Sequence, residues 1–502
     1  MHLLRVQVPD FRGLKDIDIT FEKDFFPKIF PLGSQNGGGK STLLQLIFVL
    51  LHCSVDPARK QFLKNLLRGL KIDETSPQKT LAIMDIWDGE KIVKLSFICV
   101  KNDIFIEKIP LLKDATEATS NFSKFTFSIL TEIESIKNVI ARTEEENREL
   151  KKIINEYLEL AKPFSESNRE TAWKLTVALI GTKRLLQQIG QKFGWASSSI
   201  IDSSSSLEEL ILEVLKISQA QLDHHYNEEQ ELNTSSQQFI KILELAKLRY
   251  LLSYATDDSE NNNEVLLCHI DNLNINEAES FLKRLSENIF LAAPATQVFL
   301  FLSRGARNLL FKNSESNNYY SELDSAKSQL PSFFTYDFFM VDLLIESFED
   351  ARDRDFIKAI ETGEYGNNYK TLKNDLNQML VNKKINLDRD FAGVNFKLDN
   401  NGETRELYPE DLSHGELKRL SIYIWLKSRN IEDAIILMDE VEIAFHPDWQ
   451  YQIISDLKEW APSNQYILAT HSYALCEALT PAHVKEIEPK LIKQESNITN
   501  ES

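Results

Sequence analysis

Residues 31–51 read PLGSQNGGGKSTLLQLIFVLL: three consecutive glycines, a lysine and two hydroxyl residues stand directly ahead of an apolar run. A helix N-terminus exposes unpaired backbone N–H groups and the positive end of its dipole, which suits an anion. Glycines let the preceding loop wrap a phosphate closely, a lysine adds a point charge, and a hydroxyl can hold magnesium. Gly37, Gly38, Gly39, Lys40, Ser41 and Thr42 occur in that order, after Asn36. The run behind them is too uniformly apolar to leave a solvent face, so the reading predicts a helix buried against a sheet. Two features are irregular. The strict pattern G-x-x-x-x-G-K-[ST] asks for glycine at position 34, where this chain has Ser34 with Gly33 one place earlier. Pro31 lies near the end of the strand feeding the loop, a place that a central strand normally denies proline. Gly-Lys followed by Ser or Thr arises by chance in roughly a quarter of chains this long, so the remaining parts of such a site must be sought elsewhere.

The chain has 502 residues, 42% of them hydrophobic, enough for roughly two to four domains with real cores. No apolar run reaches the roughly 18 to 20 residues that cross a bilayer. The stretch LLQLIFVLLHC (43–53) begins behind too many charged residues to be a secretory signal. The expectation is a soluble cytoplasmic protein with no membrane contact. Four cysteines (Cys53, Cys99, Cys268, Cys476) are scattered singly, with no CxxC pair, and are expected as reduced thiols. Net charge is −19, so contact with nucleic acid would need a local basic patch against a repelling field. His224 and His225 diverge around a helix axis, which favours surface histidines over a metal pair.

Short strands and turns alternate over the first hundred residues: LLRVQV (3–8), DIDITF (16–21), KIFPL (28–32) and KIVKLSFICV (91–100). From about residue 116 the texture becomes long helices. Ile129, Ile133, Ile136, Ile140, Leu150, Ile154, Tyr157 and Ala161 recur at three- and four-residue steps, with Thr143 and Asn147 in the same register. This is a coiled-coil-like seam or, equally, one face of a helix in a bundle. Pro163 ends it. ASSSIIDSSSS (196–206) and TDDSENNNE (256–264) are polar breaks. EVLLCHI and TQVFLFLS then flank the helical AESFLKRLSENI as a strand, helix, strand unit inside the insertion. NSESNNYYSELDS (313–325) reads as a loop, and IKQESNITNES at the end as disordered. The divisions are 1–115, 116–330 and 331–502: an α/β lobe, a helical arm containing a small α/β element, and the return of the α/β lobe.

Three further segments carry chemistry. AIILMDE (434–440) is an apolar run ending in two acids, as a buried parallel strand delivering carboxylates to a sheet edge would read; a strand followed by an acidic turn is the plainer alternative. In LSHGELKRLSIYIWL (412–426), Ser413 can cap a helix with Glu416 three residues on, as in a capping box. By itself that is a well-made helix start. YILATHS (466–472) is another buried strand, ending on His471, a position usually occupied by a core or edge residue.

Taken in order, NGGGKST, LSHGE, LMDE and ATHS resemble the Walker A, signature, Walker B and switch-histidine motifs of ABC-type ATPase heads. The opening VPDFRGLKDIDITF resembles the N-terminal strand and FRG turn of the RecF, Rad50 and SMC branch. DEVEIAFHP is similar to a run in AAA-type proteins of that branch. The resemblance covers roughly residues 1–110 and 331–485. More weakly, the whole chain looks like the PtuA ATPases of Septu antiphage systems, particularly the retron-associated form. The resemblance implies an α/β fold, an ABC-type P-loop ATPase head whose mixed sheet is flanked by helices, with a large, mainly helical, partly coiled-coil-like insertion. It implies ATP and Mg2+ as cofactors. Lys40 and the loop amides from Asn36 to Thr42 would bind the β- and γ-phosphates, Ser41 and Asp439 would hold magnesium, Glu440 would serve the attacking water, and His471 would sense the γ-phosphate. Ser413 and Gly415 would reach the nucleotide of a second copy packed head to tail as a homodimer. Arg12 would lie near the phosphates. The family's Q-loop glutamine has no clear counterpart, Gln78 being a guess.

The partners implied are an HNH nuclease (PtuB-like) and, in retron systems, a reverse transcriptase with its RNA–DNA product. The expected role is an ATPase switch of antiphage defence. A repair ATPase like RecF that contacts DNA directly, and a nucleotide-locked scaffold with negligible turnover, stand beside it. An OLD-type nuclease is set aside because the stretch that follows His471 is too short for a Toprim domain, and the insertion shows no HNH-like metal cluster.

Overall fold

The computed structural model describes the chain except residues 35–36, 74–75, 110–111, 113–125, 162–206, 257–263, 303–306, 308–326, 337–340, 388–392, 401–402 and 488–502. Asn36, the serine-rich break at 196–206, the loop at 313–325 and the terminal tail lie outside the described residues, as do most of the polar break at 256–264. The chain forms two compact units: residues 1–101 with 244–502, and residues 102–243.

Among the described residues the first unit holds three sheets. β1 (His2–Phe11), β2 (Leu14–Thr20), β4 (Gln78–Trp87), β5 (Ile92–Lys101), β6 (Leu248–Tyr254) and β7 (Glu264–Asp271) form one in the order β2-β1-β4-β5-β7-β6, antiparallel throughout. β3 (Ile29–Gly33), β8 (Ile289–Ala293), β9 (Phe333–Thr335), β13 (Ile435–Asp439), β14 (Gln465–Ala469) and β15 (Lys485–Glu486) form the second, all parallel, in the order β15-β3-β14-β13-β8-β9. β10 (Lys383–Leu387), β11 (Val394–Asn400) and β12 (Glu403–Leu407) make a small antiparallel meander.

The parallel sheet is buried on both faces, and its alternation divides two cores. Ile435, Leu437, Ile467 and Leu32 face a core shared with α1 (Lys40–His52), α2 (Lys60–Leu67), α5 (Ile275–Glu287) and the antiparallel sheet. Ile436, Met438, Tyr466 and Leu468 face a second core built with α6 (Val341–Thr362), α7 (Asn368–Gln378), α8 (His414–Ser428), α9 (Pro447–Trp460) and the meander. Every residue of α1 from Leu43 to His52 is buried, as its apolar run foretold. Pro31 pairs with Leu468 of β14 on one side. On the other, β15 meets β3 only at Leu32 and Gly33, so the donor that proline lacks points where no ladder has begun.

The strand, helix, strand unit after residue 263 differs from its sequence reading. Its second strand is β8, and TQVFLFLS instead opens a 3-10 turn (Ala295–Gln297) and a helical turn (Val298–Phe301) behind Pro294. Nor does this unit lie within an arm. β7 pairs with β5 and β8 with β13, so α5 carries the chain from one sheet of the head to the other. The expected border at residue 330 therefore moves to 243, because those ladder hydrogen bonds can be made only inside the head.

In the second unit, α3 (Ser128–Ala161) and α4 (Leu207–Leu245) pair as an antiparallel hairpin. Phe127 stacks edge-on with Phe239, Lys137 approaches Glu229, and Glu144 accepts a hydrogen bond from Tyr226. Ile136 and Ile140 pack on Leu222, with Thr143 and Asn147 buried in the same seam. Among the described residues two helices meet along the seam read from sequence. Among the described residues no helix is long and apolar enough to cross a membrane. The four cysteines are free, and burial pushes the thiols of Cys99 and Cys268 up to about 12.

The sheets and the two large cores of the first unit include no residue of 102–243. Lys101 pairs with Glu264, while Leu248 starts β6 opposite His269; the gap is about 17 Å along the strands and about 10 Å across them. Replacing 102–243 with a flexible Gly/Ser linker of about 12 residues is expected to give a protein that melts in one cooperative transition, read by circular dichroism.

Candidate nucleotide-binding site

Four separated segments reach one edge of the parallel sheet. β3 runs into the glycine loop and α1, β13 ends on Asp439, β14 leads to His471, and the 3-10 turn after β8 presents Gln297. Their register is common: Ala469 is opposite both Leu32 and Asp439, and Met438 is opposite Ala292.

The loop before α1 is left-handed at Gly37 (φ 80°) and Gly39 (φ 85°). The backbone conformation at Gly39 calls for glycine, and a Cβ there would also displace the Leu14 side chain, standing 2.5 Å from its Cδ2. Gly38 is buried, and Thr42 follows Ser41 on the first turn of α1. The Lys40 ammonium reaches back over the loop, 3.2 Å from the Ser34 carbonyl oxygen, 3.0 Å from Ser34 Oγ and 3.4 Å from His471 Nδ1. Burial lowers its pKa, opposed by the charges of Asp439, Glu442 and Glu440. The serine at position 34 thus gives the lysine two contacts, one of them through a hydroxyl that glycine lacks.

Asp439 is almost fully buried, and burial raises its carboxyl above the usual carboxylate range, partly offset by hydrogen bonds from Ser41 and Gln297. Glu440 follows in a left-handed conformation (φ 52°), its N–H still donating to the Ala469 carbonyl at 2.9 Å as the ladder's last bond. Glu442 accepts the backbone N–H of His471 at 2.7 Å through one carboxylate oxygen, and the other oxygen is buried without a partner among the described residues. Three carboxylates therefore surround one lysine, an arrangement that repels a polyphosphate unless a cation accompanies it. The donors suit one: Ser41 and Asp439 are hard oxygen ligands beside an orphaned carboxylate oxygen, with the amide of Gln297 adjacent. Among the described residues no three His, Cys, Asp or Glu side chains form a protein-only metal cage. Magnesium that shares its shell with phosphates requires only one or two protein ligands.

Gln297 was missed by sequence reasoning. It donates to Asp439 and accepts from Gln45 Nε2 at 3.0 Å. The available signal was Gln45, a polar residue inside LLQLIFVLL that needs a buried partner. Gln78, the guess for this position, is instead the first residue of β4, opposite Val100 in the antiparallel sheet. Arg12 does not join the cluster either. Its guanidinium donates to the Leu66 carbonyl at 2.6 Å, capping the end of α2, and burial lowers its pKa.

Ser413 and Gly415 belong to a separate place on the head, the start of α8. Ser413 Oγ accepts from Glu416 N–H at 3.2 Å, and Glu416 accepts the Ser413 N–H at 3.0 Å, which is the capping box read from sequence. Lys383 on β10 grips both oxygens of Glu416 at 2.7 Å. Burial raises the Glu416 pKa, but the bonds from Lys383 and Ser413 outweigh it and leave the carboxyl lowered. The helix start thus keeps its positive end, because its one acid is neutralised from below.

Residues 298–477 match the family described as "AAA domain, putative AbiEii toxin, Type IV TA system". The match starts one residue after Gln297 and includes Ser413, Asp439, Glu440 and His471. The chain is 25% identical over 171 residues to the "Retron Vc95 probable ATPase" of Vibrio cholerae serotype O1 biovar El Tor, spanning 30% of each protein. Two solved structures align loosely over 95% of the chain. The Smc head domain with an extended coiled coil, bound to the C-terminal domain of ScpA, from Pyrococcus furiosus aligns over 91% of its length with TM-score 0.28 and 10% identity. The Smc head domain with a coiled coil and joint from Pyrococcus yayanosii aligns over 93% of its length with TM-score 0.30 and 11% identity.

Lys383→Met strands a buried carboxylate, and urea melts are expected to show a loss of about 3–5 kcal/mol. Adding Glu416→Gln should recover most of it. Without its partner the folded-state pKa of Glu416 rises above the unfolded value, so the deficit of the single variant is full above that raised folded-state value and shrinks as pH falls towards the unfolded one.

Proposed function

We propose that this chain is an ATP-binding and ATP-hydrolysing switch. The observation that carries the reading is the convergence of Lys40, Ser41, Asp439, Gln297 and His471, drawn from four distant segments, at one parallel-sheet edge. The glycine loop and Lys40 bind the phosphates of ATP. Ser41 and Asp439 hold magnesium, with Gln297 beside them; the ion, when bound, neutralises phosphate charge. Glu440, set at the strand's end, orients and deprotonates the attacking water. His471 reads the terminal phosphate through its place next to Lys40. The capped start of α8, with Ser413 and Gly415, meets the nucleotide of a second copy, so the dimer closes on ATP and loosens when the γ-phosphate leaves.

At the level of biology, we read the switch as a subunit of an antiphage defence complex that controls an associated HNH nuclease, with a retron reverse transcriptase and its RNA–DNA product as further partners. The support is the partial likeness to a retron ATPase and the resemblance to PtuA ATPases. The net charge of −19 favours action through a protein partner over direct handling of duplex DNA.

Phosphate release and light scattering test the biochemical reading. Lys40→Ala is expected to lose ATP binding. Glu440→Gln should keep ATP-driven dimerisation while hydrolysis falls on the order of 10²-fold or more; an unchanged rate removes the role given to Glu440. Co-purification with the products of neighbouring genes tests the partners, and tight, steeply salt-dependent binding of the isolated protein to plain duplex would favour a repair role instead.

A further inference from the structure

Lys418 lies five residues after Ser413 on α8 and is buried, yet no step described so far uses it. Its Nζ donates to the Glu440 carbonyl at 3.0 Å and the Ile443 carbonyl at 3.1 Å, and stands 4.1 Å from the centre of the Tyr336 ring. Both carbonyls belong to the loop that leaves β13. That loop is left-handed twice, at Glu440 (φ 52°) and at Ala444 (φ 73°), a conformation that residues with a Cβ adopt only when their surroundings impose it. A buried ammonium donating to two carbonyls supplies such an imposition, since neither side can give up its partner without leaving a desolvated polar group.

The same loop touches α8 a second time. A Cβ on Gly415 would lie 2.8 Å from the Ala444 carbonyl oxygen and 3.1 Å from the Trp449 ring, so the helix start sits flush against the loop's far end. Beyond Lys418, Arg419 binds Asp456 of α9 through two hydrogen bonds of 2.6 and 2.9 Å inside the core. α8 is therefore a stiff element with Ser413 at its tip, the backbone of Glu440 held one turn in, and a buried anchor behind.

We infer that Lys418 is a positioning residue that fastens the backbone of Glu440 to α8, so that engagement of the helix tip by a second copy's nucleotide is transmitted to the carboxylate acting on the chain's own nucleotide. The inference rests on the reading of two copies closing around ATP. In such a pair each α8 takes part in both sites, touching one through Ser413 and the other through Glu440. Filling one site then sets the geometry of the other, and hydrolysis should depend on ATP concentration more steeply than binding to independent sites allows.

The test compares full-length wild type, Lys418→Met and Lys418→Arg by ATP affinity, thermal melting, and steady-state hydrolysis against ATP concentration. The Met variant is expected to bind ATP as wild type does while kcat falls about 10²-fold, the scale of a misplacement of about 1 Å, and its Hill coefficient drops to one. The Arg variant, still a charged donor, is expected to recover most of both. Unchanged kcat and Hill coefficient in Lys418→Met would overturn the inference. So would a parallel fall of kcat, ATP affinity and melting temperature, which marks a packing role alone. Should Lys418→Met not fold, Lys418→Gln, a shorter neutral donor, carries the same measurement: kcat lost at unchanged affinity supports the inference, and wild-type behaviour overturns it. Wild-type protein that neither hydrolyses ATP nor dimerises with it would instead sink the reading beneath, a result visible before any variant is made.

Discussion

The hydrogen-bonded register of β3, β14, β13 and β8 governs everything else in the head. Leu32, Ala469 and Asp439 come level through it, with Ala292 one residue short of that level opposite Met438, and beyond them the chain turns into the glycine loop, the His471 loop, the acidic loop and the turn bearing Gln297. A slip of one residue in β13 would exchange Leu437 for Met438 between the two cores and carry Asp439 away from Ser41. Because both faces of this sheet are dry, packing enforces the register from two sides. The site's precision is thus inherited from burial rather than from the polar contacts within it.

Those polar contacts are individually costly. Asp439 is a carboxyl held up by desolvation, Lys40 an ammonium held down by it, and Glu442 keeps one oxygen buried with no donor among the described residues. Charge of this kind survives in a stable fold only where the scaffold is strong enough to retain it, and such sites are disposed to take up a compensating ligand. Glu442 also has a structural duty, since its other oxygen fixes the backbone of the histidine loop. One acidic loop therefore shapes two walls of the cradle.

Much of this was legible in the sequence. The uniform apolarity of 43–51 required a helix without a solvent face, and α1 lies between two sheets; Ser413 and Glu416 spelled a capping box that formed as written. What escaped was non-local. Nothing in EVLLCHI announces that it pairs with β5, on the far side of the whole helical hairpin in sequence, so the head's later strands were assigned to an arm. Gln297 and Lys418 stayed hidden for the same reason: each matters through a partner remote along the chain, Asp439 for one and the Glu440 carbonyl for the other. Arg12 was placed by its turn, but its present bond to the end of α2 depends on helix packing that the turn does not encode.

The discontinuity of the head bears on how the protein is made. β3 is made well before its ladder neighbours β14 (Gln465–Ala469) and β15 (Lys485–Glu486). Until β14 arrives, β3 has no ladder partner and the parallel sheet against which α1 is buried stays incomplete. Late closure of such distant pairs is slow and leaves sticky surface open to misassociation. The glycine loop, though it follows β3 directly, thus gains its neighbours on the sheet only after the segments bearing Gln297, Asp439 and His471 have been made.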